Sequence, residues 1–119
     1  MENTKLPSEI TLHQHSKNLE LAYGDKHYQL PAEYLRVYSP SAEVRGHGVG
    51  QEILQTNKEQ VNINQLEPSG NYALKIYFDD GHDSGLFTWD YLYELATQQD
   101  AHWQDYLNRL EKAGYQRQG

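Results

Sequence analysis

The residues best suited to chemistry crowd into one stretch, "YLRVYSPSAEVRGHGVGQ" at 34–51, where Arg36, Ser39, Ser41, Glu43, Arg45 and His47 stand among three glycines. Glu43 and His47 are four apart. One helical turn would place them on a single face, able to pair or to ligate a metal. A loop, which the glycines allow equally, would free them to converge with His82 instead. Arg36 has two readings as well: a bidentate contact with Glu43 that holds the loop, or an exposed guanidinium for a partner's carboxylate.

Other patterns carry less. "GHDSG" at 81–85 has the ingredients of a serine hydrolase, but the nucleophile elbow is G-x-S-x-G at a strand-to-helix turn, and Ser84 falls one place off that pattern. His82 and Ser84 could share a face of a strand, with neither an orienting acid nor an oxyanion hole in view. Gly46, Gly48 and Gly50 alternate strictly, which fits neither a dinucleotide fingerprint nor a P-loop. His13 and His15 are two apart and could both face a divalent ion, given a third ligand, although surface strands carry such pairs by chance. His27 and His102 have no supporting pattern. The adjacent Asp79 and Asp80 read as exposed turn residues, unshifted by burial. No credible catalytic constellation emerges, and the chain is read as noncatalytic.

Composition narrows the classes further. A chain of 119 residues is expected to form one domain with one ordinary core. Cysteine is absent, which removes disulfides, a thiol nucleophile and thiolate metal ligands. Ten basic and seventeen acidic residues give a formal charge of -7. The imbalance is local, since Asp79, Asp80, Asp83, Asp90, Glu94, Asp100 and Asp105 span a segment without a single Lys or Arg. Such an acidic lobe repels phosphate, so neither nucleic acid nor an anionic membrane is expected as a partner. Its acids and tyrosines would also suit a quaternary ammonium group. No apolar run approaches the ~20 residues of a membrane span, and the N-terminus has no signal-peptide pattern, so a cytoplasmic location is expected.

The elements that must position these residues can be sketched from periodicity. "EITL" (9–12) and "NLELAY" (18–23) alternate as strands, and Gly24-Asp25 joins the latter to "KHYQL" as a hairpin. Pro31 closes that strand and suits the first turn of a short helical or turn segment, "AEYLRVY". "QVNINQLEP" sets Val61, Ile63 and Gln65 on one face, and Pro68-Ser69-Gly70-Asn71 forms a turn. "YALKIYF", interrupted by "DDGH" and resumed by "DSGLFTW", predicts a second hairpin over 72–88. Thr88 is a candidate N-cap for "WDYLYELATQQ". A further helix from about Asp100 carries a core stripe of Trp103, Tyr106, Leu107 and Leu110, with Gly114 past its end. The expected class is α+β: a small, mainly antiparallel sheet built from hairpins, with C-terminal helices packed on one face.

"LRVYSPSAEVRGHG", together with "YFDDGHDSGLFTWDYLYEL" some thirty residues later, resembles the gamma-butyrobetaine hydroxylase-like N-terminal domain family, over roughly residues 8–98. Residues 1–7 then form an N-terminal extension, and 99–119 a C-terminal helix with a frayed tail. In dioxygenases that carry it, the domain binds zinc through three cysteines and a histidine. By the resemblance those positions fall here at Ser39, Ser41, Val44 and His82, a set that does not support a structural zinc site. The resemblance also implies that the two segments meet, so that Glu43, His47 and His82 could be neighbours and accept iron or zinc with open positions. The dioxygenases' catalytic iron belongs to a separate barrel, for which this sequence has no His-x-Asp or His-x-Glu. The cysteine-free stretch looks like the small bacterial branch, also found fused to P-loop iron-sulfur carrier ATPases. Likeness to that branch implies an accessory or protein-interaction domain, with iron-sulfur assembly machinery as the expected partner. Arg36, Ser41, Glu43, Arg45, His47 and His82 are the candidate binding surface, and no resident cofactor is expected.

Overall fold

The computed structural model describes residues 6–41, 44 and 53–117. The chain opens with an antiparallel meander of β1 (Glu9–His13), β2 (Asn18–Tyr23) and β3 (Lys26–Pro31). Tyr23 pairs with Lys26, so Gly24-Asp25 is a two-residue turn, as its sequence predicts. Gly24 takes φ +67°, a value open to glycine because it has no Cβ. Central strand β2 buries Leu19, Leu21 and Ala22. Pro31 ends β3, and α1 (Ala32–Val37) begins immediately after it with all six residues buried.

The second sheet is formed by β4 (Ile63–Ser69), β5 (Ala73–Phe78) and β6 (Leu86–Thr88), again antiparallel with β5 in the centre. Two sequence expectations change here. β4 runs through Pro68 to Ser69, because Pro68 lies opposite Leu74 on an edge strand where the lack of an N–H costs no ladder bond. A register shift between Ile63 and Gln65 breaks the two-residue alternation. Ile63 is therefore buried while Gln65 is exposed and Leu66 packs against the core instead. The second hairpin pairs only at its base, Lys75 with Leu86 being its last pair, and residues 79–85 form a long connection.

Two helices complete the chain, α2 (Trp89–Thr97) and α3 (Gln99–Lys112). The Thr88 hydroxyl accepts the Tyr91 N–H at 3.2 Å, which satisfies one of the orphan donors of the first turn of α2. At the end of α3, Tyr115 N–H donates to Leu110 O and Gly114 N–H to Glu111 O, both at 3.0 Å, with Gly114 at φ +77°. That is a Schellman closure.

One core joins both sheets to α1 and α2 through Leu19, Leu30, Ile63, Ile76, Phe87 and Leu92, among others. A second cluster packs Tyr106 and Leu110 of α3 on Val37 at the end of α1. The architecture is α+β, with the predicted hairpins sorted into two small sheets and the helices at the C-terminus. Among the described residues no helix is long and apolar enough to cross a membrane.

Candidate functional site

The "SPS" segment after α1 meets the 79–85 connection in a buried polar knot. Gly81 at φ +91° turns the chain sharply, while Phe78 N–H donates to His82 O at 3.0 Å. His82 is thereby turned inward, 5 % exposed, with its ring 6.0 Å from that of Phe78. Its Nε2 lies 2.8 Å from Ser39 Oγ, and Ser39 is fully buried. Ser41 Oγ pairs with Ser84 Oγ at 2.6 Å, and Ser41 N–H points to Ser39 Oγ at 3.3 Å. Val44, also buried, donates its N–H to Ser41 O at 3.0 Å. Gly85 closes the knot, because a Cβ at that position would collide with Ser39 Oγ. A side chain there would force Ser39 to shift.

Around the knot lies a charged clasp. Asp80 Oδ2 accepts from Arg36 Nε at 2.8 Å and from Lys58 Nζ at 3.0 Å, while Asp80 Oδ1 accepts the His82 N–H at 3.1 Å. Burial pushes the Asp80 carboxyl up, but the hydrogen bonds from Lys58, the His82 amide and Arg36 outweigh it and bring the group down to about 2. Arg36 also donates from Nη1 to Gln55 Oε1 at 3.1 Å. Asp80 is a turn residue exposed as a whole, as its sequence predicts, but the expectation that it is unperturbed is corrected. With only 24 % of its side chain exposed, Asp80 links α1, the segment at 55–58 and the His82 loop.

Of the residues singled out from sequence, the fold brings Ser39, Ser41 and His82 together and ties Arg36 to them through Asp80. Glu43, Arg45 and His47 lie outside the described residues. His82 and Ser84 do not form a dyad: residues 82–85 are not in a strand, and each side chain bonds a different serine of the "SPS" segment. Ser39 and His82 stand at the distance of a nucleophile and its base, yet Ser39 is fully buried, out of reach of a substrate carbonyl.

The knot also fails the fit expected of zinc. Two ligands on a tetrahedral zinc stand about 3.3 Å apart. Ser39 Oγ and His82 Nε2 are already at hydrogen-bond distance, and Val44 has no donor atom on its side chain. Among the described residues no group of three His, Asp or Glu gathers to hold a metal.

His13 and His15 do not form a pair either. His13 Nε2 turns to Glu20 Oε1 at 2.9 Å, and the other oxygen of that carboxylate takes His27 Nδ1 at 2.7 Å. These bonds hold the half-buried Glu20 carboxyl below its ordinary range, the His13 bond acting most strongly. His13 lies opposite Asn18 and His27 opposite Ala22, so the two imidazoles flank Glu20 from opposite sides and do not converge. The register of the predicted hairpin places His27 beside Glu20, whereas His13 arrives through the pairing of β1 with β2.

Beside the knot a groove of about 420 Å³ runs between the end of α1, residues 53–55 and the facing sides of α2 and α3. Its lining includes the buried Val37, Ser39, Val44 and Tyr106, and Ile53 at its margin is 52 % exposed. Tyr38 is clamped on its wall: its hydroxyl donates to His102 O at 2.6 Å, and its carbonyl accepts the Tyr91 hydroxyl at 2.5 Å. The Arg109 guanidinium lies 5.7 Å from the Tyr38 ring centre and the His102 ring 5.1 Å from it. Nothing in the sequence pointed to His102 or Arg109, because the groove is assembled from three separate segments.

Residues 10–93 match the family described as gamma-butyrobetaine hydroxylase-like, N-terminal. The chain belongs to that family. Solved structures resemble it as well. One, a solution NMR structure, is 59 % identical over 97 % of this chain and 91 % of its own, with a TM-score of 0.86. A second NMR structure is 45 % identical over 98 % and 89 %, with a TM-score of 0.78. A crystal structure of a protein of unknown function from Acidithiobacillus ferrooxidans, assigned to the DUF971 family, is 33 % identical over 81 % and 98 %, with a TM-score of 0.65. No curated protein matches the chain.

Proposed function

We propose that this protein is a noncatalytic accessory domain that binds another protein through the groove beside the Ser39–His82 knot. The observation that carries this reading is the contrast between the two neighbours. In the knot Ser39, Ser41 and His82 are buried and hydrogen-bonded, whereas among the described residues the adjoining groove carries an exposed isoleucine at its margin. Exposed apolar surface rimmed by polar groups is the ordinary mark of an interaction site. The knot and the Asp80 clasp serve as the rigid back wall, fixing the end of α1 against residues 53–58. The proposed partner belongs to the iron-sulfur assembly machinery, on the strength of the resemblance to the cysteine-free branch fused to iron-sulfur carrier ATPases.

Immobilised untagged protein, challenged with a bacterial lysate, should retain a specific protein that Ile53→Glu fails to retain, with circular dichroism showing both proteins equally folded. Mass spectrometry of the retained band tests whether it is an iron-sulfur assembly component. Retention unchanged by Ile53→Glu would refute the groove as the contact. One equivalent of iron or zinc in the purified protein, or a stability gain on adding either, would overturn the reading in favour of a metal site through Glu43, His47 and His82.

A further inference from the structure

The groove has an electrostatic layering that specifies what enters it. Among its described residues it holds a Glu94–His102 contact at 3.2 Å and an Asp105–Arg109 ion pair at 3.2 Å. In each pair the acid is the outer member. Glu94 is 55 % exposed against 28 % for His102, and Asp105 is 65 % exposed against 36 % for Arg109. The two basic side chains are drawn inward because both lie against the Tyr38 ring, where Arg109 Nη2 also donates to the Tyr38 hydroxyl at 3.2 Å. Among the described lining residues, the carboxylates are therefore the outermost charges, with Ile53 and Leu54 as apolar lining.

Asp90 lies in the first turn of α2 and Asp100 in the first turn of α3, within the acidic segment that has no Lys or Arg from residue 79 to 105. A second copy of this chain, itself at -7, would be repelled from such a rim. Resting on the interaction reading above, we infer that the groove docks a short amphipathic segment of the partner protein, its apolar side chain over Ile53 and Leu54 and its Lys or Arg residues on Glu94 and Asp105. Apolar contact supplies the affinity, and the carboxylates set orientation and reject acidic competitors.

The test uses the full chain and a labelled peptide of about a dozen residues with Leu and Lys at helical spacing, read by fluorescence anisotropy. Parallel arms use the same peptide with Glu for Lys, with Ser for Leu, and free spermidine. The Leu–Lys peptide should bind, weaken roughly tenfold or more with the Glu94→Gln/Asp105→Asn double variant, and weaken again with Ile53→Glu. Equal binding of the Glu peptide, of the Ser peptide, or of either variant would overturn the inference, the Ser-peptide result meaning charge adhesion alone. Displacement of the peptide by spermidine at comparable concentration would also overturn it, assigning the groove to small amines. If no peptide binds while the lysate partner is still retained through Ile53, this inference falls and the interaction reading stands.

Discussion

Replacing Asp80 by Asn keeps the shape and removes the charge from the clasp. In the native protein one carboxylate serves Arg36, Lys58 and the His82 amide at 2.8, 3.0 and 3.1 Å. Its carboxyl falls from 3.8 to about 2 on folding. At about 1.4 kcal/mol for each unit of pH, that drop corresponds to an upper value of about 2.4 kcal/mol. Partial exposure of Asp80 and Lys58 screens the attraction and lowers the expected contribution to about 1.5 kcal/mol. That value already includes the loss of a counter-ion by the Arg36 guanidinium, which is only 7 % exposed. The expected loss at pH 7 is therefore about 1.5 kcal/mol. The sign of the pH dependence is set by a folded value below the unfolded one. The stabilisation is complete above about pH 4 and disappears as pH falls toward 2. Urea unfolding of both proteins at pH 7, 5, 3.5 and 2.5 measures this directly. A difference under about 0.5 kcal/mol at pH 7, or one that stays constant down to pH 2.5, would refute the clasp as described.

Other consequences can be measured alongside. Gly85→Ala should destabilise by about 1–3 kcal/mol because the new methyl meets Ser39 Oγ, and combining it with Ser39→Ala should cost clearly less than the sum of the two; additive urea midpoints would contradict that contact. Tyr34→Phe removes a buried hydroxyl that donates to Leu95 O at 2.7 Å, one of the end carbonyls of α2, and should cost about 1 kcal/mol in thermal unfolding. The Glu20 carboxyl, followed by carbon NMR, should titrate below its ordinary 4.5 and return toward it in a His13→Ala/His27→Ala variant. A midpoint unmoved by that double substitution would remove the histidines as the cause. Since Glu20's folded value lies below its unfolded one, any stabilisation it provides fades as pH drops under about 4.5.

The local vocabulary of the fold is written in the chain. Period-two runs, Gly24 and Thr88, and the apolar spacing of Tyr106 and Leu110 specify the first hairpin, the cap of α2 and the inner face of α3 without help from distant residues. The pairing of "SPS" with "DGHDSG" was also legible, as a family signature that placed Ser39 and Ser41 near His82. What sequence could not supply were features made by tertiary register. The bulge in β4 moves Gln65 outward because β5 fixes which residues of β4 can face the core. Asp80 looked like an ordinary turn residue, since the two cations that depress its carboxyl come from positions 36 and 58. His102 and Arg109 gained their place only once α3 packed beside Tyr38. Periodicity is a property of neighbouring residues and can be read from one segment alone. A groove, a clasp or a buried histidine's partner depends on which segments the shared core brings together, and the packing of the whole chain decides that.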